Sequence, residues 1–188
     1  MRLGAEDRKA IHDAIAAVEA RTSAHLAVTI VPASDRYALY PILWGAMAAF
    51  VLGCGLALFW PDLSLRMGFL AEAGCFAIAA FALEPFAMRL RVVPEAIKRD
   101  KARLLAQREF AARILGTHRE GVLIFASLGE RRVELLATKA VHAAVGEAQW
   151  SAIAGRFAAM AGEGRIGEAA QGAIAACAAP LARGFPRA

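Results

Sequence analysis

The chain has 188 residues, and 59% of them are hydrophobic. This length favours one domain, and the polar start, which has no basic stretch before an apolar one, predicts no cleaved signal peptide. The three cysteines have neither CxxC nor zinc-binding spacing, so we interpret them as small buried apolar residues.

The first 36 residues predict a helix followed by a strand. Gly4 is a suitable N-cap, and Asp7 stands three residues later in the capping-box position. A helix to about residue 20 is indicated by one apolar stripe, formed by Ile11, Ala14, Ile15 and Val18. The apolar run 25–31 that follows is typical of a strand buried on both faces.

The middle of the chain predicts a transmembrane helical hairpin. Residues 37–61 form an uncharged run of 25 residues, and a helix needs only ~20 to cross a membrane. A weaker apolar run, 67–88, contains Glu72 and Glu84. We predict a hairpin over residues 37–88, with spans at 39–60 and 67–88. The alternative, one buried core helix, is disfavoured because the uncharged run is too long for most cores.

Two patterns support spanning. Aromatic residues with polar edges, which favour bilayer interfaces, stand at the ends of the first run. Small residues also recur four apart, which lets a second helix approach closely; they are Gly45, Ala49, Gly53 and Ala57.

Glu72 is unusual, because a carboxylate inside a span is costly unless it is paired, protonated or near the interface. Our interpretation is that Glu72 extends toward the short loop near Arg66. The alternative is an intramembrane functional group that serves a proton or an ion.

Basic residues predict the orientation of the hairpin. Residues 1–36 contain five, residues 85–118 contain eight, and the loop contains only Arg66. The positive-inside rule therefore places both termini in the cytoplasm and the hairpin in the cytoplasmic (inner) membrane. The segment 85–118 has a net charge of +5, which favours anionic lipid head groups. Nucleic acid is a weaker alternative, because no aromatic residues interleave with the charges between Arg89 and Arg108. We expect the lipid bilayer, and no nucleic acid, as a partner.

The second half predicts a helix, two strands and two further helices. Pro94 can begin the first helix and Gly116 can end it. The apolar runs 121–127 and 133–138 predict strands, antiparallel to each other because their connection is short. The strand 25–31 is expected to lie parallel to 121–127 in the same sheet. Two helices with stripes at 150–157 and 166–181 follow, the last ended or kinked at Pro180.

Few residues offer chemistry. Glu130, Arg131 and Arg132 form a charged turn between strands, either a solvated hairpin tip with an ordinary salt bridge or a site where an arginine binds an anion or an acidic partner. The four histidines are scattered, and no GxSxG, Walker or GxGxxG motif is present. We predict no metal and no cofactor, and the catalytic residues, if any, stay unknown.

Both halves contain motifs of a known family. The first half has Leu3-Gly4, Asp7-Arg8, Ile11 with Ala14-Ile15, and Glu19 before Thr22-Ser23. The second half has Phe110, Leu115-Gly116-Thr117, the run 121–134, and Trp150. In this order they resemble the TPM domain family in its bacterial, membrane-inserted form. The resemblance implies a small mixed-sheet α/β sandwich, Rossmann-like, with residues 1–36 and 89–188 as its two halves.

The resemblance implies two functions. Some members are described as acid phosphatases or bind divalent cations, and others are accessory proteins of membrane complexes. Thr138 and Ala140 stand where the family usually has Asp and Gly, and Ala24-His25 stands where it has Glu. These departures remove carboxylates that a hard cation needs. We therefore expect a non-catalytic interaction module for a membrane protein or a homo-oligomer. The alternative is a divalent-cation-dependent phosphatase.

Overall fold

The computed structural model describes residues 4–187, and the chain forms two compact units. The first combines the stretch up to Ser34 with the stretch from Lys98 onward, and the second covers Asp35–Ile97. The helices, in chain order, are α1 (Ala5–Glu19), α2 (Leu39–Phe59), α3 (Leu65–Ala82), α4 (Phe86–Val92), α5 (Glu95–Arg113), α6 (Lys139–Val145), α7 (Glu147–Gly162) and α8 (Ile166–Gly184).

The first unit contains a mixed three-stranded sheet in the order β1 (His25–Val31), β2 (Gly121–Ser127), β3 (Arg132–Ala137). β1 and β2 are parallel, with His25 opposite Gly121 and Val31 opposite Ser127. β2 and β3 are antiparallel. The predicted parallel pairing of β1 and β2 is confirmed. The sheet therefore joins two strands that lie about 90 residues apart in the sequence.

The central strand β2 is buried at all seven positions because helices cover both faces of the sheet. On one face, Val122, Ile124 and Ala126 join a core built with α1, α6, α7 and α8. On the other face, Leu123 and Phe125 pack against α5 and Ile114. A strand that serves two cores must be apolar at successive positions, which explains its unbroken apolar run.

The helices differ from the sequence predictions in three places. The second apolar helix ends at Ala82, not at 88, and the separate helix α4 follows. Pro85 explains the break, since proline lacks an N–H and disfavours helix at the residue before it. The seven-residue helix α6 was not predicted, because it is too short for a clear helical period. Finally, α8 continues through Pro180 to Gly184, so the helix does not end at Pro180, and a kink there stays a prediction.

The second unit is a helical hairpin in which α2 and α3 pack against each other. A Cβ at Gly45 would lie 3.2 Å from the carbonyl oxygen of Phe76 and 3.4 Å from the Cβ of Ala80. Gly45, the first of the predicted small residues, therefore stands where the two helices approach. Both helices are long and apolar enough to cross a membrane. In the most apolar 18-residue segment of each helix, only 6% of the residues are buried in α2 and none in α3.

Candidate functional site

The β2–β3 turn lies at the carboxyl ends of the parallel strands β1 and β2, the sheet edge where α/β folds often bind ligands. The Leu128 N–H donates to the carbonyl of Val31 (3.0 Å), and the Gly129 N–H donates to the carbonyl of Pro32 (2.8 Å). These bonds extend the parallel pairing beyond the strands. The turn is thereby fixed to the segment that leaves β1.

Glu130 is not part of a solvated tip, which corrects one expectation. It is only 5% exposed. Its carboxylate accepts hydrogen bonds from the Ser34 N–H (2.8 Å) and from the hydroxyl of Ser127. Burial of a carboxylate is tolerated where such donors surround it. Glu130 thus connects the end of β2 to Ser34, a connection that sequence spacing could not show.

Arg131 and Arg132 differ in their surroundings. Arg131 is exposed and has a φ of 53°, a conformation uncommon for residues other than glycine. It makes no ion pair with any residue that the structure describes. Arg132 is half-buried and begins β3 opposite Ser127. Of the two arginines, Arg131 is the one that can reach an external anion.

The opposite end of the sheet is where β1 and β2 begin and β3 ends. It holds Ala24, His25 and Thr138, which stand where the resemblance leads us to expect carboxylates. Glu19 binds His25 Nδ1 (2.5 Å) and accepts from the Leu26 N–H (3.0 Å). Thr138 Oγ1 donates to Glu120 and accepts from the Gly121 N–H (3.3 Å). Here the carboxylates hold strand ends together. Within residues 4–187, no three His, Cys, Asp or Glu side chains come together as metal ligands.

Glu72 lies on α3 directly opposite Gly53 of α2, and a Cβ at Gly53 would collide with its carboxylate. Glu72 is half-buried and makes no hydrogen bond or ion pair with any described residue. It shares with Arg66 an open cavity of about 880 Å³ that is also lined by Trp60. Glu72 makes no ion pair with Arg66, but it lines the same cavity as the loop residues Leu63 and Ser64, so its extension toward the loop stays a prediction. Helical spacing alone could have identified neither the contact of the Glu72 carboxylate with Gly53 nor the cavity.

Two further features lie on the last two helices. A groove of about 410 Å³ between α7 and α8 has Ile153, Phe157 and Ala173 along it, with Arg156 among its polar lining residues. Cys177 of α8 is fully buried, and this burial raises the pKa of its thiol to about 12. The thiol stays protonated near neutral pH and is therefore a poor nucleophile.

The fold defined by these elements is a three-layer α/β unit with a small mixed sheet, interrupted by a hairpin of two apolar helices. No known family model and no curated protein matches the sequence. The structure is similar to the NMR structure of the BA42 protein from the psychrophilic bacterium Bizionia argentinensis, with a TM-score of 0.51 and 17% sequence identity over 99% of this chain and 86% of that chain. At this identity the likeness concerns the fold.

Proposed function

We propose that this protein is a TPM-like α/β domain anchored in the cytoplasmic membrane, where it serves as a non-catalytic accessory module for a membrane protein or complex. The observation that carries the proposal is the exposed apolar surface of the hairpin. Leu58 is 77% exposed and Phe81 80% exposed. Contiguous exposed apolar surface of this kind marks a membrane or protein contact.

The end of the hairpin where the second unit begins and ends in the sequence supports this placement. Trp44 Nε1 donates to the carbonyl of Val92 (3.2 Å), and Arg89 binds both Glu84 and the carbonyl of Arg36. Tyr37 and Tyr40 pack edge to face beside them. Aromatic and basic side chains of this kind are typical of the cytoplasmic boundary of a span.

The accessory role also rests on the resemblance to the TPM family and on Arg131, an exposed cation on a turn whose backbone is hydrogen-bonded to the segment after β1. Guanidinium groups recognise carboxylates and phosphates through paired hydrogen bonds. We therefore expect Arg131 to bind an acidic patch on a partner protein. The hairpin would keep the domain in the same membrane as that partner. The phosphatase implied by the resemblance stays the alternative.

The experiment is recovery of the tagged full-length protein from native membranes with a membrane-solubilising copolymer after mild cross-linking. We expect a defined membrane-protein partner, and we expect Arg131→Ala to reduce its recovery more than Arg119→Ala, which removes another exposed cation. A protein recovered only as a monomer would contradict the accessory role. Chelator-sensitive release of phosphate from p-nitrophenyl phosphate by the pure protein would favour the phosphatase instead.

The proposed orientation has its own test. Reporter tags at residue 1 and residue 188 should both lie in the cytoplasm, and a tag within residues 62–64 should lie on the other side. An N-terminal tag outside the cytoplasm would contradict a hairpin with both flanks on one side.

A further inference from the structure

The depth of Glu72 follows from helical geometry. It stands seven residues after the start of α3 at Leu65, which places it about 10 Å along the helix at 1.5 Å per residue. Gly53 stands six residues before the end of α2 at Phe59, about 9 Å from the same end. If the hairpin spans the membrane as proposed above, both residues lie inside a hydrocarbon core about 30 Å thick.

A carboxylate at this depth needs compensation, and none of the hairpin residues that the structure describes provides it. Arg66 is in the first turn of α3 and makes no ion pair with Glu72. Arg36, Arg89 and Arg91 are at the other end of the hairpin. A carboxylate that stays ionised inside a membrane pairs with a cation or another polar group. None of the described residues of the hairpin pairs with Glu72, so a partner for the ionised form comes from outside the hairpin.

The shape around Glu72 leaves room for such a group. Because Gly53 has no side chain, the carboxylate lies against α2 and stays at the wall of the open cavity. The remaining lining is mostly apolar or small, including Leu56, Ala57 and Gly68. Small residues at this surface allow a further helix to approach closely.

We propose that this cavity is the docking site for a membrane helix of a partner protein, and that a Lys or Arg of that helix pairs with Glu72. The inference rests on the proposed membrane span. The negative charge of Glu72 favours a cation as its partner. The depth of Glu72 in the membrane favours a long side chain carried by a helix. A lipid amine stays at the head-group level, whereas Lys and Arg have flexible stems that cross apolar surface.

The test reconstitutes the full-length protein, labelled at its C terminus, in phosphatidylcholine vesicles. The probe is a labelled single-span Leu/Ala peptide with one Lys seven residues from one end, and the matched peptide has Leu at that position. Association is measured by energy transfer. The wild type should bind the Lys peptide about threefold to tenfold more strongly, the range known for single polar pairs in membranes.

The variants separate Glu72 from general charge effects. Glu72→Gln should abolish the preference for the Lys peptide, while Glu72→Asp and the loop variant Asp62→Asn should keep it. Equal binding of both peptides by the wild type, or an unchanged preference in Glu72→Gln, would overturn the proposal. So would Glu72-dependent self-association without a Lys preference, which would assign the cavity to a second copy. Release of the wild type from vesicles by carbonate would instead contradict the membrane span itself.

Discussion

In the α/β unit all seven residues of β2 are buried, whereas in the hairpin only Pro41 and Gly45 are buried among the 21 residues of α2. The two regions use similar side chains. Phe125 of β2 is 0% exposed, and Phe50 of α2 is 70% exposed. The first region supplies its own apolar surroundings, and the second leaves most of its apolar side chains exposed. Hydrophobic content therefore does not distinguish these two regions, but burial does.

The largest effect is expected when the hairpin is removed. Arg89 contacts the carbonyl of Arg36, so the two ends of residues 37–88 lie within one side chain of each other. Replacing these residues by a Gly/Ser linker of about 6–8 residues should move the protein from the membrane to the soluble fraction, because such a linker spans this gap. The variant should melt cooperatively in calorimetry.

A fragment of residues 89–188 is the control for that variant. It should aggregate, because β2 loses its parallel neighbour β1 and exposes an apolar edge. A well-folded, monomeric fragment in sedimentation experiments would contradict the role of β1 in closing the sheet.

A second comparison uses one phenylalanine from each unit. Phe125→Ala should lower the free energy of unfolding by about 3–5 kcal/mol, since it leaves a cavity in a closed core. Phe81→Ala should change it by no more than about 0.5 kcal/mol, as is usual for exposed sites. Both are measured in the full-length protein in mild detergent. Similar losses in the two variants would mean that Phe81 is buried in the protein.

Within the hairpin, Gly45 and Gly55 provide a matched pair. A side chain at Gly45 would meet the backbone of Phe76, and one at Gly55 would meet open space. Gly45→Val should destabilise the hairpin by about 1–3 kcal/mol through overpacking, and Gly55→Val should have little effect. Titration with a denaturing detergent in vesicle-derived samples measures both. Equal effects would contradict the packing of α2 on α3 through Gly45.

The smallest effect concerns pH. The pKa of Cys177 is raised from 9.0 to about 12 by burial, so the folded thiol stays neutral after the unfolded thiol ionises. Its contribution to stability is complete below pH 9 and is lost progressively between pH 9 and 12. At pH 10 the loss is about 1.4 kcal/mol. The free energy of unfolding is measured against pH in a background that lacks Cys54 and Cys75, with and without Cys177→Ala. The Cys177→Ala variant should lack this part of the alkaline loss of stability. Identical pH profiles of the two proteins would contradict the role of Cys177.

The sequence was sufficient for the strands and the hairpin because both have long apolar runs with clear boundaries. β1 and β2 have their predicted bounds, and their parallel pairing followed from the helical connection. The sequence was insufficient for short helices and for contacts between residues that lie far apart in the chain. The helix α6 has only seven residues, and the burial of Glu130 depends on Ser34, which lies 96 residues away. Similarly, the Gly53–Glu72 contact exists only once α2 and α3 pack.

The native cysteines of the hairpin test the membrane span most directly. Cys54 is exposed on α2 and Cys75 is partly exposed on α3, whereas Cys177 is buried. In intact membranes, a hydrophilic maleimide at pH 7.5 should label none of the three, because hydrocarbon around Cys54 and Cys75 excludes the reagent and the fold buries Cys177. All three should react after denaturation. Rapid labelling of Cys54 in intact membranes would show that α2 faces water and would contradict the span.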